Sequence, residues 1–404
     1  GTFKGLKATA DLSAMFRQGI LLGSSNPANF AKATVDMHKF AFSNKNYKNF
    51  MAEVESSDDF IYMKEDGLSI TDTSGDVLRS EERFVGNLIT NIPVIGKVTD
   101  ASERAYGGFL NSLRISVYRK LVKKHEAMGF DRQSNPKLYK NIAKFVNNST
   151  GRGDLSNDKT AAKLFNALLF SPRMITGMIG VVRDIGRKDS TPYLRMQAVK
   201  SLATFVGYQY IMKQLIISAS MLLLGDDDDD FTQDSNPVST DFNKLVKGST
   251  RYDLSAGWGI ALRTLARVFY GEKSKGIEYD NQSYDDIYTQ TRFTPLLNFM
   301  MNKMSPLAAQ TYKFATNQHP TEFRGDVDDA DVLDYLEALL VPLTITELME
   351  GVGDDEISSS QVAFDTLLTI YGIGVQRYDN SKKEKKAAKT KSISERNKSK
   401  VKAK

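Results

Sequence analysis

The chain has 404 residues, 41% hydrophobic and 25% charged, which is ordinary for globular protein and enough to bury a core in two or three packed units. It contains no cysteine, which excludes disulfide staples, thiolate metal sites and cysteine nucleophiles. The net charge of +5 is unevenly placed: residues 381–404 hold eleven Lys/Arg and two Glu, a local +9, which leaves residues 1–380 at −4.

The chain opens Gly1-Thr2-Phe3, with no initiator Met and no signal pattern, and is expected to be a piece of, or a cleavage product from, a longer polypeptide. Apolar spacing predicts a helix over Leu6–Leu22, stopped by Gly23-Ser24-Ser25-Asn26-Pro27, then helices over Pro27–Phe42 and Asn46–Val54. Phe60-Ile61-Tyr62-Met63, Lys64-Glu65-Asp66-Gly67 and Leu68-Ser69-Ile70-Thr71 together read as a short β-hairpin, Asp-Gly supplying the positive-φ turn. Asp100–Lys124 is the clearest helix: Asp100 and Glu103 resemble a capping box, and Tyr106, Leu110, Leu113, Val117 and Leu121 form a stripe. Arg104, Arg114, Arg119, Lys120, Lys123 and Lys124 lie largely off that stripe, a face that either holds phosphate or anionic lipid or is simply solvated.

Helices follow over Pro136–Asn147, Lys159–Leu169 and Pro172–Ile185. Asn148-Ser149-Thr150-Gly151-Arg152-Gly153-Asp154 lacks the P-loop frame and a preceding strand, so it reads as a tight polar turn. Thr191–Leu224 is the longest apolar stretch and is expected to be a buried core helix. Membrane insertion is the alternative, with Leu215, Ile216, Ile217, Met221, Leu222, Leu223 and Leu224 as the candidate segment. Extending that segment back to Leu202 takes in Gln209, Lys213 and Gln214, and a mid-span charge costs about 2.5–3.5 kcal/mol on insertion scales. Asp226–Asp230 is expected to be an exposed loop that breaks the helix, since it lacks EF-hand spacing. After Pro237, residues 241–254 look extended or turn-rich, and helices resume at Trp258–Tyr270, Phe293–Met304, Pro306–Asn317, Val332–Leu340 and Ser360–Thr369, with a cap at Thr344.

These signals predict a mostly α fold: a multi-helix, non-bundle assembly with one short β-hairpin near 60–71 and a disordered C-terminal tail. The expected parts are an N-terminal helical unit at 1–130, a central unit at 131–236, a C-terminal helical unit at 237–380 and the tail at 381–404. His38, His125 and His319 are isolated in sequence, and no GxSxG, GxGxxG or HExxH pattern is present. Glu81-Glu82 point about 100° apart on a helix and suit a first turn better than an acid/base pair. No catalytic, cofactor-binding or metal residue is assigned, and the chain reads as non-enzymatic. The tail offers Lys382, Lys383, Lys385, Lys386, Lys389, Lys391, Arg396, Lys398, Lys400, Lys402 and Lys404 to nucleic-acid phosphates, or serves only as a solubilising terminus.

Several ordered strings resemble a known family: Ala10-Asp11-Leu12-Ser13-Ala14-Met15-Phe16-Arg17-Gln18-Gly19, Ala101-Ser102-Glu103-Arg104-Ala105-Tyr106, Phe109-Leu110-Asn111-Ser112-Leu113-Arg114 and Asn148-Ser149-Thr150-Gly151-Arg152-Gly153. Further on come Leu169-Phe170-Ser171-Pro172-Arg173, Ser239-Thr240-Asp241-Phe242-Asn243-Lys244, Gly248-Ser249-Thr250-Arg251-Tyr252-Asp253 and Tyr371-Gly372-Ile373-Gly374-Val375-Gln376. Over roughly residues 6–378 the chain resembles the C-terminal region of large tailed-phage polyvalent or internal virion proteins. It departs from that pattern at Asn243, where Gly is usual, and in its long Asp226–Asp230 run.

The resemblance implies a capsid-internal cargo or ejection protein, located in the virion and, after ejection, in the host envelope or cytoplasm. It also implies contacts with portal, tail or capsid proteins and self-association, with non-specific DNA contact through the tail and a host membrane met on ejection. The alternatives are a membrane-inserting part of a genome-delivery conduit and an accessory domain of a large phage enzyme.

Overall fold

Proline and glycine punctuation marks out most of the helices. The structure, a computed structural model, describes residues 12–71, 93–155, 171–274, 293–305 and 358–377, with short pieces at 164, 167–169, 287–289, 308–309 and 311–312. A π-helical turn, Met15–Gly19, runs into α1 (Ile20–Ser24). Then come α2 (Pro27–Phe42), α3 (Asn44–Glu55), α4 (Phe60–Glu65), α5 (Pro93–Ala127), α6 (Pro136–Ser149), α7 (Pro172–Ile185) and α8 (Pro192–Leu224). Pro27, Pro136, Pro172 and Pro192 each open a helix, where the missing N–H removes no hydrogen bond. The rest comprises β1 (Phe231–Gln233), β2 (Leu245–Lys247), β3 (Thr250–Asp253), α9 (Trp258–Tyr270), β4 (Glu272–Ser274), β5 (Ile287–Thr289), α10 (Thr294–Asn302), α11 (Ser359–Ile370) and β6 (Gly374–Arg377). The chain is therefore mostly helical, with one small antiparallel sheet and a separate β4–β5 pair.

The larger core is built around α5, whose stripe of Tyr106, Leu110, Leu113, Val117 and Leu121 is buried. Glycines set how closely its partners approach. A Cβ at Gly19 would lie 2.3 Å from Phe109 Cε1, and one at Gly108 would lie 2.3 Å from Phe40 Cδ2. The same core takes in α6 through Tyr139, Ile142 and Phe145 and the start of α8 through Leu194 and Ala198, so packing crosses the expected junction at 130/131. Helix α5 begins at Pro93, which places Asp100 inside the helix and not at its cap.

The β-hairpin expected over 60–71 does not form. Phe60–Glu65 is helical, and Asp66-Gly67 ends that helix. Gly67 (φ 80°) donates to Lys64 O at 3.0 Å, and Leu68 N donates to Met63 O at 2.8 Å, the paired bonds of a Schellman stop. The Asp66 carboxylate is buried, taking Tyr118 Oη and Arg132 Nη1 at 2.5 Å each, while Met63 and Leu68 join the core. Asp-Gly serves a hairpin and a helix stop equally well, and here the buried partners of Asp66 and Met63 selected the stop.

The second core lies under the sheet, ordered β1-β2-β3-β6 with every pairing antiparallel. Leu245 and Tyr252 are opposed, and Tyr252 also faces Val375 on β6, more than a hundred positions further along the chain. Ile216 and Ile217 of α8 and Phe364 of α11 pack on Leu245, Tyr252, Leu254, Ile373 and Val375. Since β1 pairs with β2, this sheet spans the expected junction at 236/237.

Candidate functional site

The feature that stands out is the orientation of α8. It buries Ser201, Gln209, Lys213 and Ser220 beside Leu194, Ala198, Phe205, Ile216 and Ile217, and exposes Met196, Val199, Val206, Tyr210, Ile211, Leu215, Met221, Leu222 and Leu223 beside Lys200, Gln214 and Ser218. Leu222 is 85% exposed and Lys213 only 4%, so an apolar stripe is left on the surface while polar side chains share the buried side. Of the apolar candidates in its last turns, only Ile216 and Ile217 are buried, and Leu224 is half-buried. Among the described residues, no helix is long and apolar enough to cross a membrane.

The buried polar face of α8 is satisfied by the strand region. Lys213 Nζ donates to Asn243 Oδ1 at 2.7 Å and to Gln233 Oε1 at 3.1 Å. Asn243 Nδ2 donates to Gln209 Oε1 at 2.5 Å. Asn243 adopts φ 62°, the left-handed region that glycine prefers and asparagine tolerates. Burial holds the Lys213 ammonium below its ordinary pKa, and the charge of Asp253 pulls the other way. Beside this lies a buried charge group in which Asp241 takes Lys244 Nζ and Arg251 Nε, each at 3.3 Å, while Lys244 reaches Gln376 Oε1 at 3.4 Å. Around β6, Asp365 accepts from Tyr252 Oη (2.9 Å) and Gln361 Nε2 (2.8 Å) and pairs with Arg377. The network ties α8, α11 and strands β1, β3 and β6 together. Its polar groups point at one another, so its chemistry is cross-linking.

The other expected site residues fall in different places. On α5, Arg114 is buried and donates to Thr150 Oγ1 at 2.8 Å and Ser69 O at 3.2 Å, and Arg104 donates to Phe40 O and Ala41 O. Arg119 pairs with Asp59 and Lys120 reaches Asn26 Oδ1 at 2.8 Å, but both are exposed, as are Lys123 and Lys124, so only Arg104 and Arg114 are internal wiring. The Gly151-Arg152-Gly153 turn packs against α7, with Gly153 N donating to Arg173 O at 3.0 Å and a Cβ there lying 2.1 Å from Gly177 N. Asp226 pairs with Lys247 and accepts from Ser220, and Asp227–Asp230 form an exposed 3₁₀ turn with its own capping box. Among the described residues, no group of three or more His, Asp or Glu is arranged to hold a metal ion. His319, Glu81-Glu82 and every tail residue from Lys382 to Lys404 lie outside the described residues.

Reading along the chain missed the Gln209–Lys213–Asn243 cluster. A partial signal was present: Gln209 and Lys213 are four apart, on one face of the helix. No family model, curated protein or solved structure matches this chain.

Proposed function

We propose that this chain is a non-enzymatic structural protein of a tailed-phage virion, carried inside the capsid as cargo or ejection protein and delivered with the genome. The carrying observation is that the strings resembling that family meet one another in space as framework. Ser13 lies against Gly372, Gly19 against Phe109, Arg114 bonds Thr150, Gly153 bonds Arg173, and Asp241 binds Arg251. Residues that build a frame suit a protein that works by packing against partner chains, and the apolar surface of α8 offers area for such packing. Mass spectrometry of purified particles tests this reading. Peptides of this chain at stoichiometric abundance are expected; their absence from particles overturns it.

A further inference from the structure

The apolar outward face of α8 and the acidic run after it belong to one surface. From Met196 to Met221 the exposed residues recur at helical spacing through Val199, Val206 and Tyr210, over about 38 Å at 1.5 Å per residue. At the middle, a Cβ on Gly207 would meet nothing within 4 Å, so another helix has room to come close there.

The two ends carry opposite charge. Arg183, Lys188 and Lys200 are exposed around the N-terminal end, where Asp189 is the one exposed carboxylate between residues 183 and 200. Asp227–Asp230 are exposed just past the C-terminal end, and among the described residues none of them pairs with a cation. That is the carbonyl end of a 33-residue helix, where negative charge is electrostatically disfavoured. An external cation group therefore gains more there than at a neutral surface.

We propose that this face binds a second copy of the chain, the two α8 helices lying antiparallel and centred between Gly207 and Tyr210. In that register Tyr210 lies against Gly207 and Met196 against Met221 of the other copy. The Asp227–Asp230 turn then comes to the end that bears Lys188. A two-fold contact uses one patch twice, and a stripe with opposite charge at its ends is complementary to itself only when antiparallel. A lipid surface fits less well: Arg195, Lys200 and Asp227–Asp230 flank the stripe, and no described helix is apolar enough to span a bilayer. The contact deepens the packing reading above and rests on it only for its purpose, since detection in particles and self-association are measured separately.

Sedimentation equilibrium of the full chain is expected to show a monomer–dimer equilibrium. Val206→Glu/Tyr210→Glu should raise the dissociation constant at least about a hundredfold, by burying unpaired charge. Both positions are exposed in the monomer, so far-UV circular dichroism should not change. Because the chain has no cysteine, single substitutions report the register cleanly. Met196→Cys mixed with Met221→Cys should, with dissolved oxygen as the oxidant, form an intermolecular disulfide that neither variant forms alone. A chain that stays monomeric throughout the concentration series overturns the proposal. So does self-cross-linking of Met196→Cys, the mark of a parallel pair, or uptake by phosphatidylcholine vesicles in place of self-association.

Discussion

Asn243 Oδ1 accepts a hydrogen bond from Lys213 Nζ at 2.7 Å, and through it a strand-side loop holds the buried ammonium of the longest apolar helix. The same asparagine sits at φ 62°, in the left-handed region that glycine adopts most readily. Backbone preference alone would favour glycine here, but glycine has no oxygen to offer. Asn243→Gly should therefore destabilise the protein by about 1–3 kcal/mol, because losing an acceptor for a buried charge outweighs the relieved backbone strain. Lys213→Met in the same background should recover much of that loss. Urea denaturation of the two variants checks both; a stabilised Asn243→Gly protein contradicts the account.

His125 supplies a pH dependence. It is fully buried, with Nδ1 2.7 Å from Leu121 O and Nε2 2.9 Å from Thr191 Oγ1. Thr191 Oγ1 accepts from Leu194 N as the cap of α8, which leaves its own hydrogen for Nε2 and selects a neutral imidazole. Burial lowers the His125 pKa below its ordinary 6.5, and the bond to Leu121 O acts in the opposite sense. A depressed histidine pKa stabilises the fold above the unfolded value, and that contribution is lost as pH falls below about 6.5. Unfolding free energy measured from about pH 7.5 to about pH 5 should fall more steeply for the native chain than for His125→Gln. Equal slopes would remove His125 from the explanation.

The Asp365 carboxylate is the junction of β3, α11 and β6, holding Tyr252, Gln361 and Arg377. Asp365→Ala should cost about 3–5 kcal/mol, because a buried arginine loses its carboxylate. Adding Arg377→Met should restore a large part of it. Hydrogen exchange would localise the damage: protection should fall first along β3 and β6, and a uniform loss would point elsewhere.

Residues 381–404 carry eleven cations and no aromatic ring, which suits phosphate contact without base stacking. If the tail contacts DNA, binding should be independent of sequence. It should drop ~10³–10⁵-fold between about 50 and 200 mM salt, for about six to ten phosphates neutralised. Deleting 381–404 should abolish it. DNA retained by the truncated body would shift attention to exposed lysines such as Lys123 and Lys124.

At several helix boundaries, where structure depends on neighbours a few positions away, the order of residues was sufficient, though not at Asp100, which lies inside its helix. Pro27, Pro136, Pro172 and Pro192 announced helix starts, the Tyr106–Leu121 stripe announced a buried face, and Trp258–Tyr270 and Pro172–Ile185 have the predicted bounds. Tertiary contacts decided the rest. Asp66-Gly67 became a helix stop because Tyr118 and Arg132 lie within reach of its carboxylate. The α8 sequence places apolar residues on every side, so its periodicity could not say which side turns inward. The choice fell to Gln233, Asn243 and the strand core, which offer Gln209 and Lys213 hydrogen bonds that water would otherwise supply. A polar group finds its partner across tens of residues of chain, and no local pattern encodes that distance. Once Gln209 and Lys213 turned inward, Ile211, Leu215 and Leu222, on the opposite side of the helix, had to face out.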